Sequence, residues 1–191
     1  IKMVVQALSK KGRKKWYTIT ASANFNEKPL GETLSYEPEK LIGRVVSVNL
    51  SNLTGNLKAQ NIQVSFKVKE IKDNYAVTEL IGYEMSQSYV KRVVRTGRDR
   101  VDLSFAGMTK DKVKVIVKPF LLTKFNTHRS VKSALKEKCK AFFDKYLSET
   151  EYHTFISQLI SNKINQDMRE VLSKVYPLGN VEVRAMKRVL D

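Results

Sequence analysis

The ten residues Ile62–Ile71, IQVSFKVKEI, decide the fold of this chain because they have its clearest strand pattern. The first eight alternate strictly between apolar and polar side chains, as expected of a β-strand with one buried and one hydrated face. Asp73 and Asn74 follow as a tight turn, and residues 75–83 have a second strand pattern. The stretch therefore predicts a β-hairpin.

Segments on both sides of the hairpin also have strand patterns. We expect strands over residues 16–21, 44–50, 101–108, 112–118 and 181–189. Residues 22–42 are rich in Asn, Pro and Gly, which predicts a loop with at most a short strand over 32–36. Residues 52–61 are predicted to be a connection.

Two other parts of the chain have apolar residues at helical spacing. Residues 86–96 predict a helix that stops at Gly97. A longer helical block is predicted from about Ser130, where an apolar stripe that contains Cys139 lies opposite lysines repeated every four residues.

The ends of the later helices have their own signals. Ser148 and Glu151 match a capping box, which predicts the start of a second helix in the block. Residues 167–175 again have helical spacing. Tyr176 and Pro177 are predicted to end the block, because proline cannot continue a helix and restricts the residue before it.

The order of these elements predicts an α+β fold. We expect an antiparallel barrel-like or strongly curled sheet core, with an inserted helix and a C-terminal helical block at one end. The predicted division is a basic N-terminal arm over 1–15, a β-rich core over 16–128 with the helix 86–96, a helical block over 129–176, and a final strand over 177–191 that returns to the core.

The charge of the chain is high and unevenly distributed. Its 191 residues include 35 Lys and Arg against 19 Asp and Glu, a formal net charge of +16. Residues 1–15 hold six cations and no acid, residues 86–100 hold five against one, and residues 108–141 hold ten against two. Residues 16–85 and 142–191 are nearly neutral, so the excess is segregated as in a polyanion-binding surface.

The residues that carry most enzymatic chemistry are sparse. His128, His153 and Cys139 match no metal-ligand spacing, and the sequence has no glycine-rich phosphate loop and no nucleophile elbow. Cys139 is predicted to be a small buried hydrophobe. We therefore predict a protein that is not an enzyme and has no cofactor, metal site or small-molecule substrate.

Compartment signals are few. A lone cysteine excludes an internal disulfide and fits a reducing compartment. No run of apolar residues is long enough to span a membrane, and the apolar patch within residues 1–9 is too short for a signal peptide. Because the sequence begins at Ile1 rather than Met, we expect residues upstream of it. The predicted location is the cytoplasm.

The charge map favours nucleic acid as the partner, because Lys and Arg clusters neutralise phosphates and release counterions. The arm should be disordered when free and ordered against a phosphate backbone. The cationic nucleic-acid-binding residues that we predict, with His128, are Lys10, Lys11, Arg13, Lys14, Lys15, Lys91, Arg92, Arg95, Arg98, Arg100, Lys110, Lys112, Lys124, Arg129, Lys132 and Lys136.

Some of the predicted residues have a second possible role. Trp16 could stack on a base, but packing in or beside the core is the favoured prediction. His128 and Arg129 could contact phosphate or cap the helix that follows them. The arginines of 92–100 differ from lysines in offering a planar fork that takes two phosphate oxygens or stacks on a base.

Four fragments, in order along nearly the whole chain, are similar to one known family. They are KKWYTITASANFN at 14–26, GRVVSVNLSNL at 43–53, VDLSFAGMTKD at 101–111 and VYPLGNVEVRAMK at 175–187. Together they resemble the archaeal and eukaryotic small-subunit ribosomal proteins known as three-Ae, in the compact archaeal form.

The resemblance implies a structural component of the small ribosomal subunit, on the platform near the messenger exit, with a β-barrel-like core and helices. Its implied partners are the 3′ region of 16S-type ribosomal RNA and neighbouring ribosomal proteins, with mRNA or initiation factors at the exit site as further candidates. It implies no activity, cofactor or membrane contact, and a location in the ribosome.

Two other interpretations stay open at this point. Phosphate contacts alone do not distinguish RNA from DNA, so a chromatin-like nucleic-acid-binding protein is one alternative. A protein–protein docking module that uses the neutral residues 142–191 is the other, and an exposed apolar patch there would favour it.

Overall fold

A computed structural model of the chain describes residues 13–189. Within that range the strands are β1 (Lys15–Thr20), β2 (Pro29–Ser35), β3 (Val45–Asn49), β4 (Ile62–Lys72), β5 (Tyr75–Met85), β6 (Arg100–Asp102), β7 (Phe105–Met108), β8 (Lys114–Thr123) and β9 (Leu178–Arg188). The helices are α1 (Leu50–Thr54), α2 (Gln87–Val93), α3 (Arg129–Glu149), α4 (Tyr152–Ile160) and α5 (Lys163–Ser173). The described chain thus has the mixed helix and strand content that the sequence predicts.

Strands β4 and β5 form the predicted hairpin. They are antiparallel from Ile62 opposite Met85 to Lys72 opposite Tyr75. Asp73 in the turn has a φ of 53°, in the left-handed region that Asp tolerates better than most residues. The hairpin prediction is confirmed, and β5 extends two residues beyond the predicted end.

All nine described strands belong to one mixed sheet. Its main order is β2–β1–β5–β9–β8–β6, with β4 on the second edge of β5, β3 beyond β4, and β7 beside β6 on β8. The pairing of β1 with β5 is parallel and the others are antiparallel. No pairing among the described strands closes the sheet, so a barrel is not confirmed and an entirely antiparallel sheet is wrong.

One edge of β5 is shared by two strands with a gap between them. Strand β1 pairs with residues 75–77 and β9 with residues 82–84. In the gap, the hydroxyl of Tyr152 in α4 donates to the Leu80 carbonyl at 2.7 Å, and the Thr78 hydroxyl donates to the Thr20 carbonyl at 2.7 Å. A helix side chain therefore satisfies a strand carbonyl where the sheet divides.

The main core lies between the sheet and the helical block. Helices α3, α4 and α5 bury apolar stripes against β8, β9, β4 and β5. The fully buried centre of this core includes Val117, Leu135, Phe143, Met168 and Val183. The predicted apolar stripe of α3 is confirmed, since Leu135, Cys139, Phe143 and Leu147 are all buried.

A smaller core lies on the opposite face of β8. Helix α2 packs there, and Val90 joins Met85, Phe120 and Leu122 in a separate cluster. Leu121, between the last two, belongs to the main core. Strand β8 is therefore buried on both faces near its end, which explains its continuous apolar run.

Several predicted elements have different bounds. Residues 29–35 form a full strand because they pair with β1, which outweighs their Pro and Gly content. The predicted connection 52–61 contains the end of α1 and a short 3-10 turn. Helix α2 ends at Val93 rather than Thr96, because Val94 is extended. The predicted strand 101–108 is divided into β6 and β7.

The predicted capping box is wrong. Ser148 lies inside α3, and its hydroxyl donates to the Lys145 carbonyl at 2.8 Å. Glu151 is the N-cap residue of α4, and no side-chain hydrogen bond caps that helix. The backbone amide of Tyr152 instead donates to the Asp111 carboxylate at 3.0 Å, so a residue from the β7–β8 turn takes the capping role.

Candidate nucleic-acid interface

The outer face of the sheet, beside α2, holds a concavity of about 360 Å³ lined largely by cations. We call it the basic pocket and define it by Lys91, Arg100, Lys118, Arg184 and Lys187. Glu84 is the acid among its lining residues. Four different secondary-structure elements supply the five cations, so the pocket exists only in the folded chain.

Strand alternation explains why these side chains share a face. Lys118 of β8 lies opposite Ala185 of β9, and Lys187 lies opposite Ile116. Val117 and Met186, which come next to them in the chain, are paired and point into the main core. The lysines therefore project from the face that the helical block does not cover.

The arginines and lysines of the basic pocket differ in their partners. Asp102 lies 2.6 Å from the Arg100 Nε and 3.8 Å from the Arg184 guanidinium, and so holds both. Arg100 also lies over the Phe120 ring, 5.4 Å from its centroid. Within residues 13–189, no ion pair engages Lys91, Lys118 or Lys187. These three ammonium groups are available to an anionic partner.

The sequence predicted only part of this pocket. Lys91 and Arg100 were predicted, whereas Lys118, Arg184 and Lys187 were missed as site residues. The signal for Lys118 was its place on the polar side of a strand pattern. Arg184 and Lys187 lie in the neutral region 142–191, where acids on the helices cancel their charge in a linear count.

A second group of predicted residues surrounds the start of α3. Lys132 forms an ion pair with Asp99 at 2.8 Å, and the Thr127 backbone amide donates to the same carboxylate at 2.7 Å. The hydrogen bond from Lys132 and then that from Thr127 lower the pKa of Asp99. Lys132 is therefore already paired with an acid in the fold, and its contact with phosphate stays a prediction.

The other predicted residues at this corner are exposed. Lys124 lies 5.7 Å from the ring centroid of Phe125, and His128, Arg129 and Lys136 face solvent at the start of α3. Contact of this group with phosphate stays a prediction. Capping of α3 by the His128 side chain is wrong, because no side-chain hydrogen bond caps this helix.

The predicted arginines of 92–100 do not share one helix. Arg92 in the last turn of α2 lies over the Tyr89 ring at 5.6 Å and is 3.5 Å from the Asn61 side chain. Arg95 and Arg98 are exposed in the loop that follows α2, and Arg100 begins β6. Only Arg100 of this set lines the basic pocket.

Lys110 and Lys112 lie far from the start of α3. The backbone amide of Lys110 donates to the Thr150 carbonyl at 3.1 Å, just past the end of α3, and its ammonium group is 3.7 Å from Glu151. A helix of 21 residues is about 30 Å long. The structure therefore does not bring Lys110 and Lys112 together with Arg129.

The described part of the arm lies beyond the Tyr75 end of β5, whereas α2 follows its other end. Arg13, Lys14 and Lys15 are exposed, and the predicted residues Lys10 and Lys11 lie outside the described range. Trp16 is 63% exposed, so the favoured prediction of core packing is wrong. Tyr17 and Ile19 occupy the buried face of β1, and alternation turns Trp16 outward.

Other chemically capable groups do not form a site in residues 13–189. No group of three or more His, Cys, Asp or Glu side chains could hold a metal ion in that range. Burial raises the pKa of the Cys139 thiol to about 12, and its Sγ packs 4.0 Å from the Met168 sulfur. No helix in the described range is long and apolar enough to cross a membrane.

Comparison with known proteins decides the family. The model of the Ribosomal S3Ae family matches residues 5–190. The chain belongs to this family. It is therefore a ribosomal protein, of a family that is structural rather than enzymatic, and its location is cytoplasmic, in the ribosome.

Archaeal members of the family are clearly similar to the chain. Small ribosomal subunit protein eS1 of Nanoarchaeum equitans is 34% identical over 165 residues, covering 86% of this chain and 83% of the relative. The protein of the same name from Desulfurococcus amylolyticus is 31% identical over 93% of this chain and 83% of its own length. That of Halorubrum lacusprofundi is 29% identical over 91% and 81%.

Proposed function

We propose that the chain is a structural component of the small ribosomal subunit that binds ribosomal RNA through the basic pocket. The observation that carries the proposal is the convergence of five cations from α2, β6, β8 and β9 around one concavity. The names of the relatives, which are small-subunit proteins, support the choice of subunit.

The proposal divides the work between two kinds of side chain. Lys91, Lys118 and Lys187 act as mobile point charges that neutralise phosphates and release counterions. Arg100 and Arg184 are oriented by Asp102 and offer planar forks for phosphate oxygens. Because the contacts are to backbone phosphates, the chain recognises the shape of folded RNA more than its sequence.

The proposal includes a place in the subunit. We assign the chain to the platform near the messenger exit, against the 3′ region of 16S-type RNA, where mRNA or initiation factors can approach it. The support for this assignment is the family resemblance of the four fragments. The exposed cations Arg13, Lys14 and Lys15 and those at the start of α3 are proposed to extend the contact beyond the basic pocket.

Salt-dependent RNA binding tests the proposal. Labelled fragments of small-subunit RNA are titrated with the wild type and with a triple variant, Lys91→Ala, Lys118→Ala and Lys187→Ala, across a salt series. Each lost phosphate contact lowers the salt slope by about 0.7–0.9, so the triple variant should lose about two to three units of slope.

The matched control changes three exposed lysines of the helical block to alanine, namely Lys145, Lys163 and Lys174. This variant has the same net charge as the first. If RNA binds at the basic pocket, the control should keep most of the wild-type salt slope. If the two variants lose equal amounts of salt slope, RNA binding depends only on the net charge of the chain, and the proposal is contradicted. Equally tight binding of duplex DNA would favour the chromatin-like alternative instead.

A protein neighbour is also supported, because the helical block carries an open groove of about 520 Å³. The rings of Phe142 and Tyr146 stack in it with centroids 5.4 Å apart, and Val171 is exposed beside them. We propose that an adjoining ribosomal protein covers this groove. A photo-crosslinker attached after Val171→Cys should label protein in the purified subunit, and labelling of RNA alone would contradict this.

A further inference from the structure

Three exposed aromatic rings lie near one another where β1 meets β2 and β5. Trp16, Tyr36 and Tyr75 are 63%, 40% and 56% exposed. We call these three residues the aromatic face. Within the described residues, Phe125 is the one other Phe, Tyr or Trp ring that is exposed, and it lies in the loop before α3.

Strand register places two of the three rings, those of Trp16 and Tyr75, on one side of the sheet. Thr18 of β1 lies opposite Tyr75, and Trp16 precedes Thr18 by two residues, so Trp16 and Tyr75 project in the same direction. Their Cα atoms are about 8 Å apart by ordinary strand spacing. Ile19 and Ala76, on the other side of the same pair of strands, are buried together.

Tyr36 lies in the bend just past the end of β2, next to the start of β1. Leu34 lies opposite Trp16, and Tyr36 follows Leu34 by two residues. The ammonium group of Lys14 lies 5.1 Å from the Tyr36 ring centroid, which fixes Tyr36 beside the start of β1. The rings therefore border the segment in which the basic arm enters the sheet.

The charges on the aromatic face are balanced. Lys72 lies opposite Tyr75, and Lys14 lies over Tyr36. By register, Glu32 opposite Thr18 and Glu70 opposite Val77 share the same side. Net charge on this face therefore cannot supply the binding energy, and the exposed rings are its distinguishing feature.

We propose that the aromatic face is a stacking platform for unpaired bases of single-stranded RNA. This inference rests on the proposed function, because it takes RNA as the partner. Exposed rings on a sheet are suited to stacking, since every base has a π-face, and stacking gives sequence-tolerant affinity. The exposed cations Arg13, Lys14 and Lys15, just before Trp16, hold the backbone of the same strand.

The cations that lie next to the aromatic face favour RNA over a protein as its partner. A protein that covered the aromatic face would also have to meet Arg13 and Lys15, two exposed cations that form no ion pair within residues 13–189, whereas a nucleic-acid strand offers bases and phosphates together. The basic pocket, at the other end of β5, would take folded RNA, so the two surfaces would bind different parts of the RNA.

Intrinsic fluorescence tests the proposal directly, because Trp16 is the chain's single tryptophan. The full chain is titrated with an oligouridylate of about ten nucleotides, a usual site size for single-strand binders. A matched abasic oligomer has the same phosphates and no bases. Stacking should quench Trp16 emission with the oligouridylate and leave it nearly unchanged with the abasic oligomer.

Substitutions test whether the rings of Tyr75 and Tyr36 also stack on bases. Tyr75→Leu or Tyr36→Leu should weaken oligouridylate binding roughly 5- to 150-fold, the usual range for loss of one stacked base, and should not change binding of the abasic oligomer. Tyr75→Phe keeps a ring and should retain most of the affinity. Phe125→Leu removes an exposed ring elsewhere and should leave the quenching of Trp16 intact.

The possible results separate this inference from the proposed function. If small-subunit RNA fragments bind in anisotropy but no base-bearing oligomer quenches Trp16, the aromatic face is not a stacking platform and the basic pocket stands. Equal quenching by the abasic oligomer would overturn stacking in the same way. Shielding of Trp16 by an adjoining protein in the assembled subunit would overturn it as well. Loss of all RNA binding would overturn both proposals.

Discussion

The two faces of the β8–β9 ladder differ in chemistry although the same two strands build them. Val117 and Val183 point into the main core and are fully buried beneath the helical block. Lys118 and Arg184 point the other way and line the basic pocket. Alternation thus allows one ladder to hold the fold on one face and, as we propose, RNA on the other. Substitutions on the two faces should therefore affect different measurements.

The largest expected change in stability follows from substitution on the face of the ladder that the helices cover. Phe143 is fully buried in α3 and packs against the rings of Phe105 and Phe142. Phe143→Ala removes a large apolar side chain and leaves a cavity, so the free energy of unfolding should fall by about 3–5 kcal/mol. Chemical denaturation measures this loss.

The comparison variant is the triple lysine substitution in the basic pocket. It should change the free energy of unfolding by no more than about 0.5 kcal/mol per residue, because exposed side chains contribute little to stability. The Phe143→Ala protein that remains folded should bind RNA like the wild type. Similar destabilisation by both variants would show that the two faces are not independent.

An intermediate effect is expected where the sheet divides. Tyr152→Phe removes the hydroxyl that donates to the buried Leu80 carbonyl and leaves that acceptor without its partner. The expected loss is about 1–3 kcal/mol in the free energy of unfolding, again by denaturation. Tyr75→Phe removes an exposed hydroxyl and serves as the control. If both changes cost the same, the Tyr152 hydrogen bond does not stabilise the divided edge.

The smallest expected effect concerns Asp99 and depends on pH. Its folded-state pKa is lowered by Lys132 and then by the Thr127 amide, so the carboxylate stabilises the fold above its ordinary pKa and loses that contribution as pH falls through the folded-state value. The Tm of the wild type should exceed that of Asp99→Asn at neutral pH, and the difference should vanish at strongly acidic pH. Thermal melts across that range measure it.

A difference in Tm that does not change with pH would show that the ion pair is not its source.

The Asp99–Lys132 ion pair also predicts a difference in RNA binding between two lysines. Because Asp99 already engages Lys132, Lys132→Ala should reduce RNA affinity less than Lys118→Ala does, and the opposite order would place the RNA at the α3 corner instead.

Local sequence patterns predicted which helices and strands form better than they predicted which of these elements contact one another. The β4–β5 hairpin and the stripe of α3 follow from the spacing of apolar residues, which is a local property. Strand β2 was underestimated because pairing with β1 outweighs its weak intrinsic preference. The capping box failed because α3 continues through Ser148, and Asp111 from a distant turn takes its place.

The candidate site was predicted in the same uneven way. Lys91 and Arg100 lie in cationic runs, so a linear charge count finds them. Arg184 and Lys187 lie in a region whose helices carry enough acids to cancel their charge, so the count hides them. Trp16 was expected in or near the core because large aromatic rings are usually buried, yet its neighbours on β1 take the buried face.

By itself, the sequence determined the mixed helix and strand content, the hairpin, the segregation of positive charge and the family of this protein, because periodicity, charge and sequence similarity are properties of the chain as written. Only the tertiary structure decided the parallel β1–β5 pairing, the gap filled by Tyr152, the basic pocket and the aromatic face. Each of these depends on which strands become neighbours, and strand pairing joins residues far apart in the chain.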